Sequence, residues 1–323
     1  RTCMGGISPR CATHNTAHRR RHQVLMSIPQ DLGDDITIGH SGARRLNPPM
    51  ARILAFSSHV AYGSVGLAAI VPALQWLGHE VIALPTVILS NHPGYGRFSG
   101  EQVSPVSLDQ MLDSLEANGW LGEIDAVLTG YLPNPGHVAT ACSAVQRVRR
   151  TNPAALFYCD PVLGDDPKGL YIDSAAAEAL RDELLPLSDL AVPNRFELAW
   201  LSAESVDSLK DAVCAGRKLP VPVTLATSIP VSSLSLGTVL VEEHRSTSCQ
   251  VTWREGVGHG TGDLISALFL GHTLKGLSGA EALALTVAQV EATILASPRA
   301  GELSLAAAAA KWTRADPLAI EDL

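Results

Sequence analysis

From residue 51 onward, short apolar runs alternate with segments whose apolar residues recur at helical spacing, and this alternation constrains the fold more than any other feature. Strands that alternate with helices form a mostly parallel sheet with helices on both faces. We therefore predict a doubly wound α/β fold whose ligands bind at the carboxyl edge of its strands. The buried strands are predicted at 52–56, 81–88, 125–130, 155–159, 190–194 and 221–227.

Two of the intervening segments carry clear helix signals. In residues 107–118, Ser107 is the predicted cap, Gln110 completes a capping box and Gly119 ends the helix. A second helix is predicted around 136–150, where three arginines suit the negative end of the helix. Residues 237–252 predict a β-ribbon.

Composition excludes several classes of protein. The formal net charge is −8 over 323 residues, and no long basic tract follows residue 50, which argues against a nucleic-acid partner. The most apolar window, 65–89, is interrupted by Pro72 and Gly78, so we expect no membrane span. The six cysteines show no CxxC spacing and are expected to be reduced thiols rather than disulfides or zinc ligands.

The first 49 residues differ in composition from the rest. They lack periodicity and are rich in Arg, His, Thr and Ser, so we expect 1–49 to be a disordered extension and 50–323 to be the folded domain. Met50 directly precedes the first predicted strand and is a plausible start. Because no secretory apolar core is present, we expect a soluble, cytoplasmic protein.

The stretch "GVGHGTGDLISALFLGHTLKG", residues 256–276, places four glycines before a helix and sets Asp263 at the junction. Glycines let backbone amides approach a ligand closely, and a helix N-terminus attracts anions. An acid in a first turn also serves as a cap. The spacing alone leaves both interpretations open, a capping residue or part of a phosphate site.

Polar residues follow several predicted strands. Each of them alone fits a turn or a helix cap. Together, oxygen ligands beside an anion-binding loop favour Mg²⁺ and nucleotide phosphates, with Asp263 as the base that takes a proton from a substrate hydroxyl. No GxxxxGK[ST] motif is present, which excludes a P-loop enzyme. The strand-end residues are Asp160, Asp165, Asn194, Glu197, Thr227 and Ser228.

Over residues 51 to about 305, the chain resembles pyridoxal kinases of the ribokinase-like superfamily. "GTGD" (260–263) alone indicates only a ribokinase-like kinase, whereas "SSHVAYGSVG" (57–66) and "SNHPGYG" (90–96) together narrow the resemblance to pyridoxal kinases. The motifs "GYL", "CDPVLGD", "LYI", "VPNRFE" and "ATS" follow in the order typical of that family.

The resemblance implies a role for each matching residue. Asp263 is the general base on the pyridoxal 5′-hydroxyl, and the amides of Gly260, Thr261 and Gly262 hold the transferring phosphoryl group. On the substrate side, Ser58 bonds the pyridine ring, Val65 and Tyr131 pack on it, and Pro93 lies at a substrate-contacting position. The nucleotide-side residues are Asp160, Tyr171, Asn194, Thr227 and Ser228, and those that organise the metal are Asp160, Asp165 and Glu197, with Asn194 in the same region.

The family likeness further implies ATP and pyridoxal as substrates, Mg²⁺ with a monovalent cation such as K⁺, and a homodimer. Two positions depart from the family pattern. Pro93 replaces a threonine that many members carry, which removes a hydroxyl donor from the ring site. His259 precedes GTGD where Asn or Val is usual, and we interpret it as a surface-loop histidine. His59 and His92 are assigned to local turn geometry or ring contact.

Two alternatives remain at this point. One is a kinase for another ring-bearing alcohol such as hydroxymethylpyrimidine, which the two N-terminal motifs argue against. The other is a catalytically idle vitamin B6 carrier or regulator, which the intact Asp263 and glycine loop argue against, because a pure binding protein needs no base.

Overall fold

A ten-stranded sheet runs through the part of the chain that the computed structural model describes, residues 50–297 and 301–323. The predicted disordered extension, 1–49, lies outside the described residues. The strands are β1 (Arg52–Tyr62), β2 (Glu80–Asn91), β3 (Gly100–Gln102), β4 (Ala126–Thr129), β5 (Leu156–Cys159), β6 (Gly164–Asp165), β7 (Gly169–Leu170), β8 (Leu190–Ala191), β9 (Val223–Ser232), β10 (Ser235–Val241), β11 (Ser246–Thr252) and β12 (Glu321–Asp322).

The strand order is β12-β11-β10-β9-β8-β5-β4-β1-β2-β3, and β6 and β7 form a separate hairpin. The strands from β2 to β9 in this order pair in parallel, while β3 and the ribbon β10–β12 add antiparallel edges. After β1 the chain turns to β2 on one side and later returns to β4 on the other. The sheet therefore has a topological switch point between β1 and β4, where open α/β folds bind ligands.

The helices cover both faces of the sheet, which confirms the predicted fold class. They are α1 (Leu67–Trp76), α2 (Pro105–Ala117), α3 (Pro135–Thr151), α4 (Ser174–Ala179), α5 (Arg195–Ser202), α6 (Leu209–Gly216), α7 (Thr261–Leu274), α8 (Gly279–Ala296) and α9 (Leu305–Trp312). Short 3₁₀ turns span Pro93–Tyr95, Trp120–Glu123 and Leu185–Leu187, and a π turn spans Leu180–Leu184.

Two hydrophobic cores lie on opposite faces of the sheet. Along β1, Leu54 and Phe56 join the core beneath helices α2 to α6, whereas Ile53 and Ala55 join the core beneath α1, α7, α8 and α9. Neighbouring residues of a strand point to opposite faces, so a strand covered by helices on both sides must be apolar at every position. This is why the predicted strands read as continuous apolar runs rather than as alternating ones.

Several predicted boundaries were wrong. The strand predicted at 52–56 is β1, which continues to residue 62, and the strand predicted at 81–88 is β2, which spans 80–91. Ser104, not Ser107, caps α2: its hydroxyl accepts a hydrogen bond from the Ser107 amide at 3.1 Å, because Pro105 favours the first helical position. The strand predicted at 190–194 stops at residue 191, since Pro193 has no N–H to donate. The strand predicted at 221–227 is β9, which continues to residue 232 because it turns back in an antiparallel hairpin with β10.

Among the described helices, α8 alone is long and apolar enough to cross a membrane by length and composition. Half of its apolar window is buried, and residues such as Leu283 and Val287 lie in the core shared with α7 and α9. Packing inside the fold accounts for its composition. The described cysteines, Cys142, Cys159, Cys214 and Cys249, are free thiols, as predicted.

Candidate active site

Asp263 lies where the N-termini of two helices meet. It is in the first turn of α7, and its Oδ2 accepts a hydrogen bond of 2.8 Å from the amide of Gly66, the residue that precedes α1. The cap position of α7 itself is Gly260, which makes no side-chain capping bond. Asp263 is therefore bonded to the start of another helix rather than acting as the cap of its own.

The close packing of the backbone around Asp263 requires glycine at two positions. A Cβ on Gly66 would lie 2.1 Å from the Ser58 carbonyl oxygen, and a Cβ on Gly260 would lie 1.8 Å from the Ser64 carbonyl oxygen. Both residues also have positive φ, 57° and 97°, which L side chains rarely adopt. The glycine loop (residues 256–262) and the β1–α1 loop (residues 63–66) are thus packed backbone to backbone, with Val65 buried beside Gly260.

The environment of Asp263 suits a base. Desolvation raises the pKa of its carboxyl to about 6, and the hydrogen bond from the Gly66 amide offsets part of that shift. The side chain is half-buried, and no group in the described residues bonds to its second oxygen, Oδ1. At neutral pH the carboxylate is ionised and one of its oxygens is available to a substrate proton.

A second acid, Asp160, follows β5 and is almost fully buried. The Ser266 hydroxyl, one turn along α7 from Asp263, donates to its Oδ2 at 2.7 Å. Burial and, next, the charge of Asp263 raise the pKa of Asp160 to about 8, while the bond from Ser266 opposes both. Asp160 and Asp263 are therefore close enough to repel each other.

Glu197 lies behind Asp160 in the first turn of α5. Its Oε2 accepts from the Asn194 amide at 2.8 Å and its Oε1 from the Leu163 amide at 3.0 Å, while Asn194 caps the helix in return. Burial, followed by repulsion from Asp160, raises the pKa of Glu197 well above its ordinary value. Both oxygens thus hold the backbone of the β5–β6 turn and of α5, and the carboxyl is fixed in position.

Asp165 and Tyr171 are the next residues predicted for the nucleotide and metal side of the site. Asp165 is exposed, and its Oδ1 accepts from the Asp166 amide at 2.8 Å. Tyr171 is partly exposed and its amide donates to the Leu163 carbonyl at 3.0 Å; desolvation of its hydroxyl, and then the charges of Glu197 and Asp160, raise the pKa of that hydroxyl. Within the described residues, no three His, Cys, Asp or Glu side chains are arranged to hold a metal by themselves.

Two of the predicted ring-side residues, Ser58 in β1 and Tyr131 after β4, lie at the switch point. The pairing of β1 with β2 shifts register between Ser57 and Ser58, a local irregularity of the kind often found beside active sites. Tyr131 follows β4; its amide donates to Ser57 Oγ at 3.2 Å, and its carbonyl accepts from Thr86 Oγ1 at 2.7 Å. These bonds fix the backbone of Tyr131 next to β1.

Pro93 belongs to an exposed turn that we call the histidine loop (residues 92–96). His92 caps this turn, since its Nδ1 accepts from the Gly94 amide at 3.1 Å, which confirms its assignment to local turn geometry. The rings of His92 and His259 stack with centroids 3.9 Å apart. His259 is exposed, as expected for a loop histidine, but the sequence did not indicate this stack, which joins the histidine loop to the glycine loop.

A groove of about 440 Å³ opens beside the N-terminus of α7. The predicted residues Asp165, Thr227, Ser228 and Thr261 line it. Ser228 has a positive φ of 60°, a strained conformation that is common at functional sites. Apolar side chains complete the wall: Leu236, Val251, Trp253, Val257, Ile265, Val287, Val290 and Ile294.

Sequence reasoning missed three residues of this site. Gly66 donates a hydrogen bond to Asp263, and Ser266 donates one to Asp160. Trp253 lines the groove. Ser266 could have been found, because a residue three places after Asp263 shares its helix face. Gly66 belongs to the motif at 57–66, but its bond to Asp263 is distant in sequence and could not be predicted from it, and Trp253 carries no local signal.

The chain matches known proteins over most of its length. A family model described as phosphomethylpyrimidine kinase matches residues 68–306. A pyridoxal kinase of Deinococcus radiodurans is 36% identical over 286 residues, covering 83% of this chain and 95% of the relative.

The chain belongs to the pyridoxal kinase family. A second relative, the pyridoxal kinase of Rubrobacter xylanophilus, is 38% identical over 278 residues, or 79% of this chain and 91% of that one. The pyridoxal kinase structure from Leishmania donovani in complex with ADP and pyridoxamine has a TM-score of 0.79 at 28% identity and covers 84% of this chain and 99% of its own. The structure of pyridoxal kinase from Entamoeba histolytica has a TM-score of 0.80 at 25% identity, and the match covers 85% of this chain and 100% of that one.

The two glycines that flank Thr261 provide a matched test of the site's packing. We expect Gly260→Ala to lower the free energy of unfolding by about 1–3 kcal/mol, because the new methyl overlaps the Ser64 carbonyl. Gly262→Ala meets no atom within 4 Å and should keep the wild-type melting temperature. Thermal unfolding of both variants measures this, and an equal loss of stability in the two would contradict the close approach at Gly260.

Proposed function

We propose that this member of the pyridoxal kinase family transfers the terminal phosphoryl group of ATP to the 5′-hydroxyl of pyridoxal, forming pyridoxal 5′-phosphate in vitamin B6 salvage. The observation that carries the proposal is Asp263, a half-buried carboxylate with one free oxygen, between the ring-side residues and the groove. The related Leishmania donovani kinase, solved with ADP and pyridoxamine, supports this assignment.

In this proposal the pyridoxal ring lies at the switch point between β1 and β4. Ser58 is the polar anchor for the ring, and Val65 and Tyr131 form the flat apolar slot that such a ring needs. Pro93 borders the slot from the histidine loop and offers no hydroxyl, so ring selectivity depends on the other three side chains.

ATP occupies the groove, with its base against the apolar wall and its phosphates toward α7. Thr227 and Ser228 are the proposed polar contacts, with Asp160, Tyr171 and Asn194 on the phosphate side. Thr261 lines the groove two residues before Asp263, so the groove leads directly to the base. The first amides of a helix have no partner inside it, and those of Gly260, Thr261 and Gly262 are free to hold the transferring phosphoryl group.

The reaction follows from this arrangement. The substrate hydroxyl oxygen forms a bond to the terminal phosphorus while the bond from that phosphorus to the bridging oxygen of ATP breaks, and ADP leaves with the electron pair. Asp263 Oδ1 accepts the hydroxyl proton. The helix N-termini of α1 and α7 stabilise the negative charge that gathers at this point.

Mg²⁺ fits the acids of the site. Burial raises the pKa of all three acids, Asp160, Glu197 and Asp263. Repulsion from Asp263 adds to the shift of Asp160, and repulsion from Asp160 adds to that of Glu197. No lysine or arginine contributes to any of the three shifts. A cation would relieve that repulsion. Mg²⁺ is usually held by one or two carboxylates together with substrate phosphates, and it neutralises phosphate charge. We propose that Asp160 and Asp165 would hold the metal, with Glu197, whose carboxyl is fixed by backbone amides, supporting them.

A monovalent cation such as K⁺, a homodimeric state and a cytoplasmic location stay predictions from the family likeness. Exposed apolar side chains at the open end of β1 to β3, namely Tyr62, Ile88 and Phe98, support a second copy covering this edge.

A coupled kinase assay with pyridoxal, pyridoxine, pyridoxamine and hydroxymethylpyrimidine tests the proposed substrate. We expect kcat/KM for pyridoxal to exceed that for hydroxymethylpyrimidine by about tenfold or more, the discrimination that one or two ring contacts supply. A preference for hydroxymethylpyrimidine would favour the related ring-alcohol kinase. Pyridoxal binding without turnover would identify a carrier.

Asp263→Asn tests the base. A positioned general base contributes about 10²–10⁴-fold, so we expect kcat to fall by at least about 10²-fold while KM for pyridoxal changes only a few-fold. Steady-state kinetics measure both, and near-normal turnover would contradict the assignment.

The pH dependence gives an independent check on the same residue. Because the pKa of Asp263 is raised to about 6, its carboxyl gains a proton as the pH falls through that value and can no longer accept one. We expect kcat/KM of the wild type to decline below about pH 6, and this limb should be missing from the residual activity of Asp263→Asn. A wild-type profile that stays flat to pH 5 would argue against Asp263.

Asp160→Asn tests the metal site. We expect the Mg²⁺ concentration for half-maximal activity to rise about tenfold or more, the effect typical of losing a group that supports a metal, with little change in pyridoxal binding. Asp113→Asn, an exposed acid that pairs with Arg147 away from the site, is the matched control and should leave the titration unchanged. An unchanged titration for Asp160→Asn would reduce Asp160 to a structural residue.

A further inference from the structure

Residues 301–303 lie across the mouth of the site, between the loops that form it. The backbone of Glu302 pairs with that of His259 in the glycine loop, and the Leu303 carbonyl accepts from Ser64 Oγ at 3.0 Å. Gly258 packs so closely here that an added Cβ would lie 2.9 Å from the Glu302 nitrogen. This segment is therefore attached to both the glycine loop and the β1–α1 loop.

The side chain of Glu302 reaches a third loop. Its Oε1 accepts a hydrogen bond from the Tyr95 hydroxyl in the histidine loop, and the same hydroxyl contacts the Gly301 carbonyl at 3.1 Å. This bond, more than burial, raises the pKa of Tyr95 to about 12. A Cβ on Gly63 would lie 3.1 Å from both carboxylate oxygens, so Glu302 also packs on the β1–α1 loop.

The histidine loop is thus attached to its surroundings at His92 and at Tyr95. The ring of His92 stacks on His259, while Tyr95 bonds to Glu302 and Gly301 through its hydroxyl and lies edge-on to the ring of Tyr62, with centroids 6.4 Å apart. Pro93 and Gly94 lie between these points in sequence, and an added Cβ on Gly94 would lie 3.1 Å from His259 Nε2. The loop that borders the proposed ring slot therefore owes its position to contacts distant in sequence.

We propose that Glu302 is a positioning residue for the pyridoxal ring, acting through Tyr95 to hold the histidine loop against the glycine loop that precedes Asp263. The inference rests on the proposed function. Glu302 does not line the ATP groove, so its effect should fall on the ring. A loop held in its binding conformation before the substrate arrives loses less entropy on binding.

The test compares Glu302→Ala, Glu302→Gln and Tyr95→Phe in steady-state kinetics. We expect Glu302→Ala to raise KM for pyridoxal by about three- to tenfold, the usual range for a lost hydrogen bond, with KM for ATP unchanged. Glu302→Gln keeps an acceptor for the Tyr95 hydroxyl and should recover most of the loss. Tyr95→Phe should raise KM for pyridoxal at least as much as Glu302→Ala, since it removes the bonds to both Glu302 and the Gly301 carbonyl, and adding Glu302→Ala to it should change little further.

Glu204→Ala is the matched control. Glu204 is an exposed acid that pairs with Lys218 away from the site, and its removal should change neither KM. Equal rises in both KM values for Glu302→Ala, or an unchanged KM for pyridoxal, would overturn the positioning role.

Amide hydrogen exchange provides a readout that does not depend on turnover. Peptides covering residues 92–96 should exchange faster in Glu302→Ala than in the wild type or in Glu204→Ala, because the loop has lost one of its attachments. Unchanged exchange would overturn the role of Glu302 whatever the substrate is. A wild-type chain that does not phosphorylate pyridoxal would instead overturn the proposed function.

Discussion

The hydrogen bond from the Gly66 amide to Asp263 is the contact on which the rest of the site depends. It joins residues 197 positions apart in sequence and brings the N-termini of α1 and α7 together. No side chain other than hydrogen fits at Gly66 or Gly260 without displacing backbone. The proposed ring-side residues Ser58 and Val65 lie on one side of this contact, and the groove lies on the other. The bond from Gly66 to Asp263 therefore sets the distance between the two proposed substrates.

The site concentrates negative charge that the fold leaves uncompensated. Asp160, Glu197 and Asp263 all have raised pKa values, so keeping them ionised at neutral pH opposes folding. Bonds from Ser266, Gly66 and the backbone around Glu197 offset part of that cost. Either a proton or a cation can offset the remainder, and because we propose Mg²⁺ at this place, the acids and the proposed metal are best considered as one unit.

Much of the site could be predicted from residues close together in the chain. Glycines before a helix, an acid in its first turn and polar residues after apolar runs are local patterns, and they led to Asp263, Asp160 and Thr227. Other features could not be found in this way. Glu197 was expected near a metal, yet both its oxygens bond to backbone amides. The stack of His92 on His259 and the bond of Tyr95 to Glu302 join segments more than 160 residues apart.

The sequence by itself determined the fold class, the family and the position of the proposed base, because apolar periodicity, helix signals and short motifs are each encoded within a few neighbouring residues. Only the tertiary structure decided what each polar group bonds to. Asp263 could have capped its own helix, and it bonds to Gly66 instead because the register of the sheet and the close packing of two glycines place that amide 2.8 Å away. Hydrogen bonds between distant segments depend on the position of every element that lies between them, and no local pattern records that position.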